Sequence, residues 1–382
     1  MAATQQMTAQ QINLQARQLV LQNAVEMTQN IYSQTINPTN TPVVNIQPRY
    51  AGLIKGFLVE ITATITNTAG SATVLSDFNA ANLLSSINFV DLNNNTRIQT
   101  TGWHINFLNT IRQHGVFGAA ITLAALDTPI KYGANWNVVS ATASIAASTT
   151  GTVVMKYWIP LAYSNDDLSG SVYANVVNAT MNLQLTFNPT PSPATGDSTS
   201  TVYVGNAATI TSATINVLQV YLDQIPQGQA GPILPAIDLA TIYEIKNTTF
   251  TGMVAGNDFP IQYANFRQFL STFMVYVNAA AGTRAAGTDI NYLALLSANS
   301  TYIQKVDANY AAMRTRNMIK TDLPLGTYYF DFRRRPLSTI QYGNLQLVIN
   351  PSTAAAGAYA LIGWEAFAFV NNITQAGSLS AS

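Results

Sequence analysis

Charge is what this chain has least of. Only 9% of its 382 residues are Asp, Glu, Lys or Arg, seventeen of each sign, where a soluble domain ordinarily carries roughly a quarter. Cysteine is absent altogether and histidine occurs twice, as His104 and His114. Without cysteine there is no disulfide framework, no thiolate zinc site and no thiol nucleophile. The two imidazoles are too far apart in sequence for an i, i+4 pair on one helix face, which excludes a helical two-histidine metal motif. Neither a G-x-x-x-x-G-K-[ST] phosphate loop nor a G-x-S-x-G nucleophile elbow occurs. No segment approaches the ~18 uninterrupted apolar residues of a membrane-spanning helix. Met1–Gln11 is polar, with no positive side chain before Arg17, so no secretory signal peptide is expected and synthesis is expected in the cytoplasm. Asp166-Asp167 is the single adjacent carboxylate pair. Neighbours on a strand point to opposite faces, and Ser164–Gly170 reads as turn and cap chemistry rather than as an acid–base pair. Neither a metal nor a cofactor is expected.

What remains is an apolar, neutral chain: 48% hydrophobic residues and a formal net charge of zero. Its surface must be covered by Asn, Gln, Thr, Ser and Tyr. Charge keeps crowded proteins apart, and a net charge near zero favours association. Such a chain is expected to pack against copies of itself, and its neutral balance argues against specific nucleic-acid binding.

Three textures follow one another. From about Thr8 to Ser33, Ile12, Ala16, Leu19, Val20, Met27 and Ile31 recur at helical spacing among Gln and Asn, which predicts one amphipathic helix ended by Asn37-Pro38 and Thr41-Pro42. That helix would lie on its own domain or serve as an arm on a neighbouring subunit or on a layer beneath. Beyond Pro48 the chain turns to short runs alternating apolar residues with Thr, Asn or Gln, such as Gly56–Thr66, Gly151–Ile159 and Ala179–Phe187. These read as strands with one face in a core. The stretch 188–200, rich in Pro, Ser and Thr, reads as an exposed rim loop. Leu222–Lys246 is rich in Pro and Gly and then turns helical, and a second strand-rich block begins near Phe259. The expected layout is a helical arm over residues 1–45, a β-sandwich over 46–250 and a second over 251–382, an all-β fold of two tandem sandwiches. Seven bases fall between Lys305 and Arg335, including Arg314, Arg316, Arg333, Arg334 and Arg335, against three acids. A patch for phosphate or lipid head groups is one reading; pairing with acids of a neighbouring subunit is the favoured one.

Several segments together resemble the major capsid protein of the tectiviruses, tailless icosahedral phages with an internal membrane. They are Leu14-Gln15-Ala16-Arg17-Gln18, Gly102-Trp103-His104 with Phe107 and Asn109-Thr110, Pro129–Gly133, Tyr157–Ser164, Tyr221–Pro226, Ile233-Leu234-Pro235 with Ile237-Asp238-Leu239, Gly287–Leu293 and Gln341–Asn344. The resemblance implies a double jelly roll and a non-enzymatic coat protein of the virion. It further implies homotrimers with a pseudo-hexagonal footprint, and an N-terminal helix above the internal viral membrane. Vertex and minor capsid proteins would be further partners. On this reading Ile12, Leu14, Ala16, Arg17, Leu19, Val20, Met27 and Ile31, with the five arginines above, are the candidate assembly residues. The alternative is a carbohydrate-binding or carbohydrate-cleaving β-sandwich, suggested by 18 Tyr and four Trp, which requires paired Asp or Glu in a cleft.

Overall fold

The computed structural model describes residues 8–76, 79–112, 138–174, 180–188, 201–278, 287–298, 301–319, 326–354 and 357–369. The segment Pro129–Gly133, the stretch 189–200 and His114 lie outside them.

Helix α1 (Ala9–Asn23) opens on a capping box in which Thr8 and Gln11 satisfy each other's backbone N–H groups. It ends ten residues short of the predicted Ser33. The chain goes extended at Ala24 and continues as β1 (Val25–Ile36), so Met27 and Ile31 stand on a strand. The reason is tertiary. β1 pairs antiparallel with a long neighbour from Val25↔Asp223 to Ile36↔Ala213, and that ladder outweighs an isolated helical turn.

The remaining longer strands are β2 (Val43–Ile46), β3 (Leu53–Asn67), β4 (Leu84–Val90), β5 (Thr96–Thr100), β6 (Val138–Ala141), β7 (Thr150–Pro160), β8 (Asn182–Phe187) and β9 (Ala208–Asp223). The second half follows with β10 (Thr241–Thr251), β11 (Phe259–Gln262), β12 (Arg267–Val277), β13 (Ile290–Ser297), β14 (Thr301–Val306), β15 (Thr327–Asp331), β16 (Leu345–Pro351) and β17 (Tyr359–Phe369). Helix α2 (Gly102–Arg112) follows β5, α3 (Ala236–Ala240) precedes β10, and α4 (Ala308–Ile319) follows β14. The helical end expected of Leu222–Lys246 therefore amounts to only five residues. Thr241 already belongs to β10, whose length is paired with β17 from Thr241↔Phe369 to Thr251↔Tyr359.

One sheet runs β1-β9-β3-β7-β6. A second, continuous through both halves, runs β2-β8-β4-β5-β10-β17-β12-β15, and a third runs β11-β16-β13-β14. β3 shows why the first sheet packs as it does: Phe57, Val59, Ile61, Ala63 and Ile65 are fully buried, while the intervening residues face outward. Opposite them, Ile87, Phe89, Leu183 and Leu185 of the second sheet close the first core. The second core lies between β10-β17-β12-β15 and the third sheet, with Phe269, Met274, Tyr276, Leu293, Leu347 and Ile362. The two sandwiches thus stand side by side. They share one sheet through the parallel contact β5–β10, Ile245↔Ile98 and Lys246↔Gln99.

Candidate assembly interface

The sequence stripe on α1 is only half a core face. Ala16 and Val20 are buried, Val20 against Leu53, Leu168, Leu222 and Ile225, but Ile12, Leu14 and Leu19 are 53%, 50% and 42% exposed. The polar Asn13 takes the inward position instead. Its side chain donates to Asp238 Oδ1 (2.9 Å) and accepts from Ile237 N (2.8 Å). Arg17 grips the same carboxylate with Nε (2.6 Å) and Nη2 (2.5 Å) and reaches Asp167 at 3.1 Å. Asp238 is 1% exposed. A buried carboxylate must be paired, so it turns the Asn13/Arg17 edge of α1 inward, and Ile12, Leu14 and Leu19 rotate outward. The helix therefore lies on its own chain and presents an apolar face to whatever lies beyond it.

β1 continues this surface. It is the edge of its sheet, with Val25 and Met27 more than 40% exposed; Ile31 packs partly on the first core. Glu26 reaches across to the buried Lys55 at 2.6 Å.

The basic run is split by the fold. Arg333 forks onto Asp331 (Nε–Oδ1 2.9 Å, Nη2–Oδ2 2.7 Å), so its charge is taken up inside the chain. Arg314 and Arg316 are exposed on α4; Arg334 and Arg335 are exposed after β15. Arg314, Arg333 and Arg334 line one recess together, while Arg335 and Arg316 are not among its walls.

The junction of the two sandwiches is the part that sequence reasoning missed. α2 lies against the outer side of the second half's sheet. Phe107 meets Phe273 at 3.7 Å between ring centroids, and Trp103 meets it at 5.0 Å. His104 is fully buried, with Nδ1 2.6 Å from Thr100 Oγ1. Burial drives its pKa down to about 4 against the opposing pull of Glu365, so the ring is neutral near pH 7. Gly363 of β17 makes room for it: a Cβ there would stand 2.4 Å from His104 Nε2.

At the C-terminal end of α2, Arg112 bridges both halves. Its guanidinium donates to Tyr163 O (2.8 Å), to Tyr243 Oη (2.5 Å) and to Glu365 Oε1 (2.6 Å), and sits 5.1 Å from the ring centroids of Tyr163 and Tyr243. Tyr243 Oη also donates to Glu365 Oε1, and Ser271 Oγ donates to Oε2 at 2.5 Å. Burial pushes the Glu365 carboxyl upward, yet the Arg112 charge and the Ser271 and Tyr243 hydrogen bonds outweigh it, leaving the group below its usual range and ionised. Only the conjunction of Arg, Glu and Tyr in otherwise charge-poor segments could have signalled this cluster. The arrangement holds no reacting group open to a substrate; it fastens one sandwich to the other.

Comparison with known proteins agrees with that geometry. The family model described as P3 major capsid protein N-terminal matches residues 1–225, and that described as P3 major capsid protein C-terminal matches 240–381. The chain belongs to the P3 major capsid protein family. It is 42% identical to the major capsid protein P3 of Enterobacteria phage PRD1, across 100% of this chain and 97% of that protein. It is a structural coat protein of a tectivirus virion, not an enzyme. Solved structures share the fold at low identity: the STIV major capsid protein (TM-score 0.64, 13% identical, 90% of this chain and 97% of that one) and the major capsid protein P2 of bacteriophage PM2 (0.51, 8%, 91% and 99%). The side-by-side sandwiches of this capsid protein are thus a double jelly roll.

Proposed function

We propose that the capsid protein closes into homotrimers with a pseudo-hexagonal outline, and that these pack edge to edge in the facets of an icosahedral shell. The observation that carries this reading is the β5–β10 contact, which fuses two similar rolls side by side in one sheet. Three such chains place six rolls around one axis, so a single product can tile a near-hexagonal lattice. The low charge supports it, because burying roughly 2,000–5,000 Å² in a permanent interface is easier when few ions must be desolvated. The division into two units is proposed to fall between β9 and β10, since β10 pairs along its length with β17. The exposed Ile12, Leu14 and Leu19 of α1 are proposed to meet the internal membrane layer, and the trimer edges the vertex and minor proteins. Synthesis in the host cytoplasm goes with this reading.

Light scattering on the purified chain should give three times the chain mass. A lone monomer at high concentration would refute the trimer. Removal of residues through Asn23 should leave trimers that fail to form shells, because β1 is retained to cover β9. Normal shells from that truncation would remove α1 from the assembly surface.

A further inference from the structure

Two adjoining recesses where the rolls meet, at the end of the sheets where β3 begins and β7 and β15 finish, have five bases and one carboxylate in their described walls. A recess of about 310 Å³ has Lys55, Arg112, Arg333 and Trp158 in its walls. It adjoins another of about 690 Å³ whose walls include Arg314, Arg333, Arg334 and Asp331, and Tyr163 and Arg333 are common to both. Three of the bases are already matched: Lys55 to Glu26 (2.6 Å), Arg112 to Glu365 (2.6 Å) and Arg333 to Asp331 (2.7 Å). Arg314 and Arg334 form no salt bridge among the described residues, and Asp331 is the only carboxylate among the described walls. In a chain with 9% charged residues, this concentration in one concave place stands out. A cleft with walls of one sign focuses the field and draws in counter-ions.

We infer that this inter-roll cleft is a binding site for a phosphate group. Two surplus guanidinium groups match the charge of about −1.5 to −2 that a phosphate monoester carries near pH 7. Their planar forks suit the tetrahedral oxygens of phosphate, which can accept from more than one arginine at once. A carboxylate would be satisfied by a single fork and would leave the second arginine unmatched. Trp158 and Tyr163 supply flat walls on which a guanidinium or the body of a larger phosphate ester can rest. A ligand held here contacts both rolls and would tighten the junction that Arg112 already spans. The group can come from soluble phosphate or from the monoester head group of phosphatidic acid; the chemistry recognised is the same.

The test is titration of the intact protein with inorganic phosphate at low ionic strength, beside Arg314→Gln/Arg334→Gln and Arg335→Gln. Saturable binding is expected in the unchanged protein. Charge-assisted hydrogen bonds of this kind predict at least about tenfold weaker binding in the double variant. Arg335→Gln should bind as before, since Arg335 is exposed nearby but outside the walls. All three positions of substitution are exposed, so matching melting curves can establish that the variants are folded. Equal weakening by Arg335→Gln would show that net charge alone is at work and would overturn the site. So would an absence of saturable binding. Unchanged phosphate binding in the double variant with lost self-association would assign the arginines to acids of a second copy, and would equally overturn it. Co-sedimentation with phosphatidic acid vesicles, reversed by free phosphate, would name the head group as source. Phosphate binding without sedimentation would name a soluble one.

Discussion

Replacing Arg112 by Met removes the cation hydrogen-bonded to a carboxylate buried to 1% at the roll junction. The Glu365 carboxylate keeps its Ser271 and Tyr243 donors but loses the Arg112 Nη2 donor at 2.6 Å, and the backbone oxygen of Tyr163 loses its partner. Breaking a buried ion pair from one side costs about 3–5 kcal/mol, because the remaining charge stays desolvated. For a chain of 382 residues, unfolding entropies near 2.1 cal/mol/K per residue convert this to a melting shift of roughly 4–6 °C. Calorimetry on Arg112→Met, on Glu365→Gln and on the double variant measures it. The double variant should recover much of the loss, since no lone charge remains. The pH dependence carries a second signature. In the unchanged protein the Glu365 carboxyl is held below its ordinary value near 4.5, so its contribution is complete above that value and fades as pH falls through the lower folded value. Without Arg112, burial and the lost opposite charge place the folded value above the ordinary one. The defect of Arg112→Met should then begin to shrink as pH falls through that raised value toward about 4.5, and shrink further below it as the unchanged protein loses its own ion pair. A single variant that melts within about 1 °C of the unchanged protein at pH 7 would show that the cluster does not fasten the rolls.

Other outcomes follow from the same coordinates. Gly363→Ala puts a methyl group 2.4 Å from His104 Nε2 and should cost about 1–3 kcal/mol by overpacking. Adding His104→Ala to it should return part of that stability in urea unfolding. His104, buried neutral with a pKa near 4, is protonated first in the unfolded chain. Stability should therefore fall by roughly 3 kcal/mol from this group alone between pH 6.5 and 4, and His104→Asn should flatten that slope. Asp238→Asn weakens the anchor shared by Arg17 and Asn13 and should cost about 1.5–3 kcal/mol. Faster amide exchange confined to α1 would report it. Ile12→Ser and Leu14→Ser, at exposed positions, should change the melting point little, within about 0.5 kcal/mol. Their effect should appear in the yield of shells seen by electron microscopy.

The all-β, two-sandwich layout was legible because burial on one face imposes a period of two, which β3 displays from Phe57 onward and β7 from Thr150 to Ile159. Scarcity of charge announced association for an equally local reason, the missing repulsion between copies. β12 was readable as a strand but not as one covered on both sides. Its unbroken buried run, Phe269 to Val277, makes sense only with the second core on one face and α2 on the other. The end of α1 could not be read, since residues 24–36 fit a helical stripe and a strand alike, and the open edge of β9 decides between them. The same holds for the direction α1 faces, which Asp238 sets from more than two hundred residues away. Composition and periodicity determine which segments seek burial. Which of them meet, and which ions must therefore be neutralised in pairs such as Arg112 and Glu365, was decided only by the tertiary structure, because a charge's cost depends on the surroundings that distant segments bring to it.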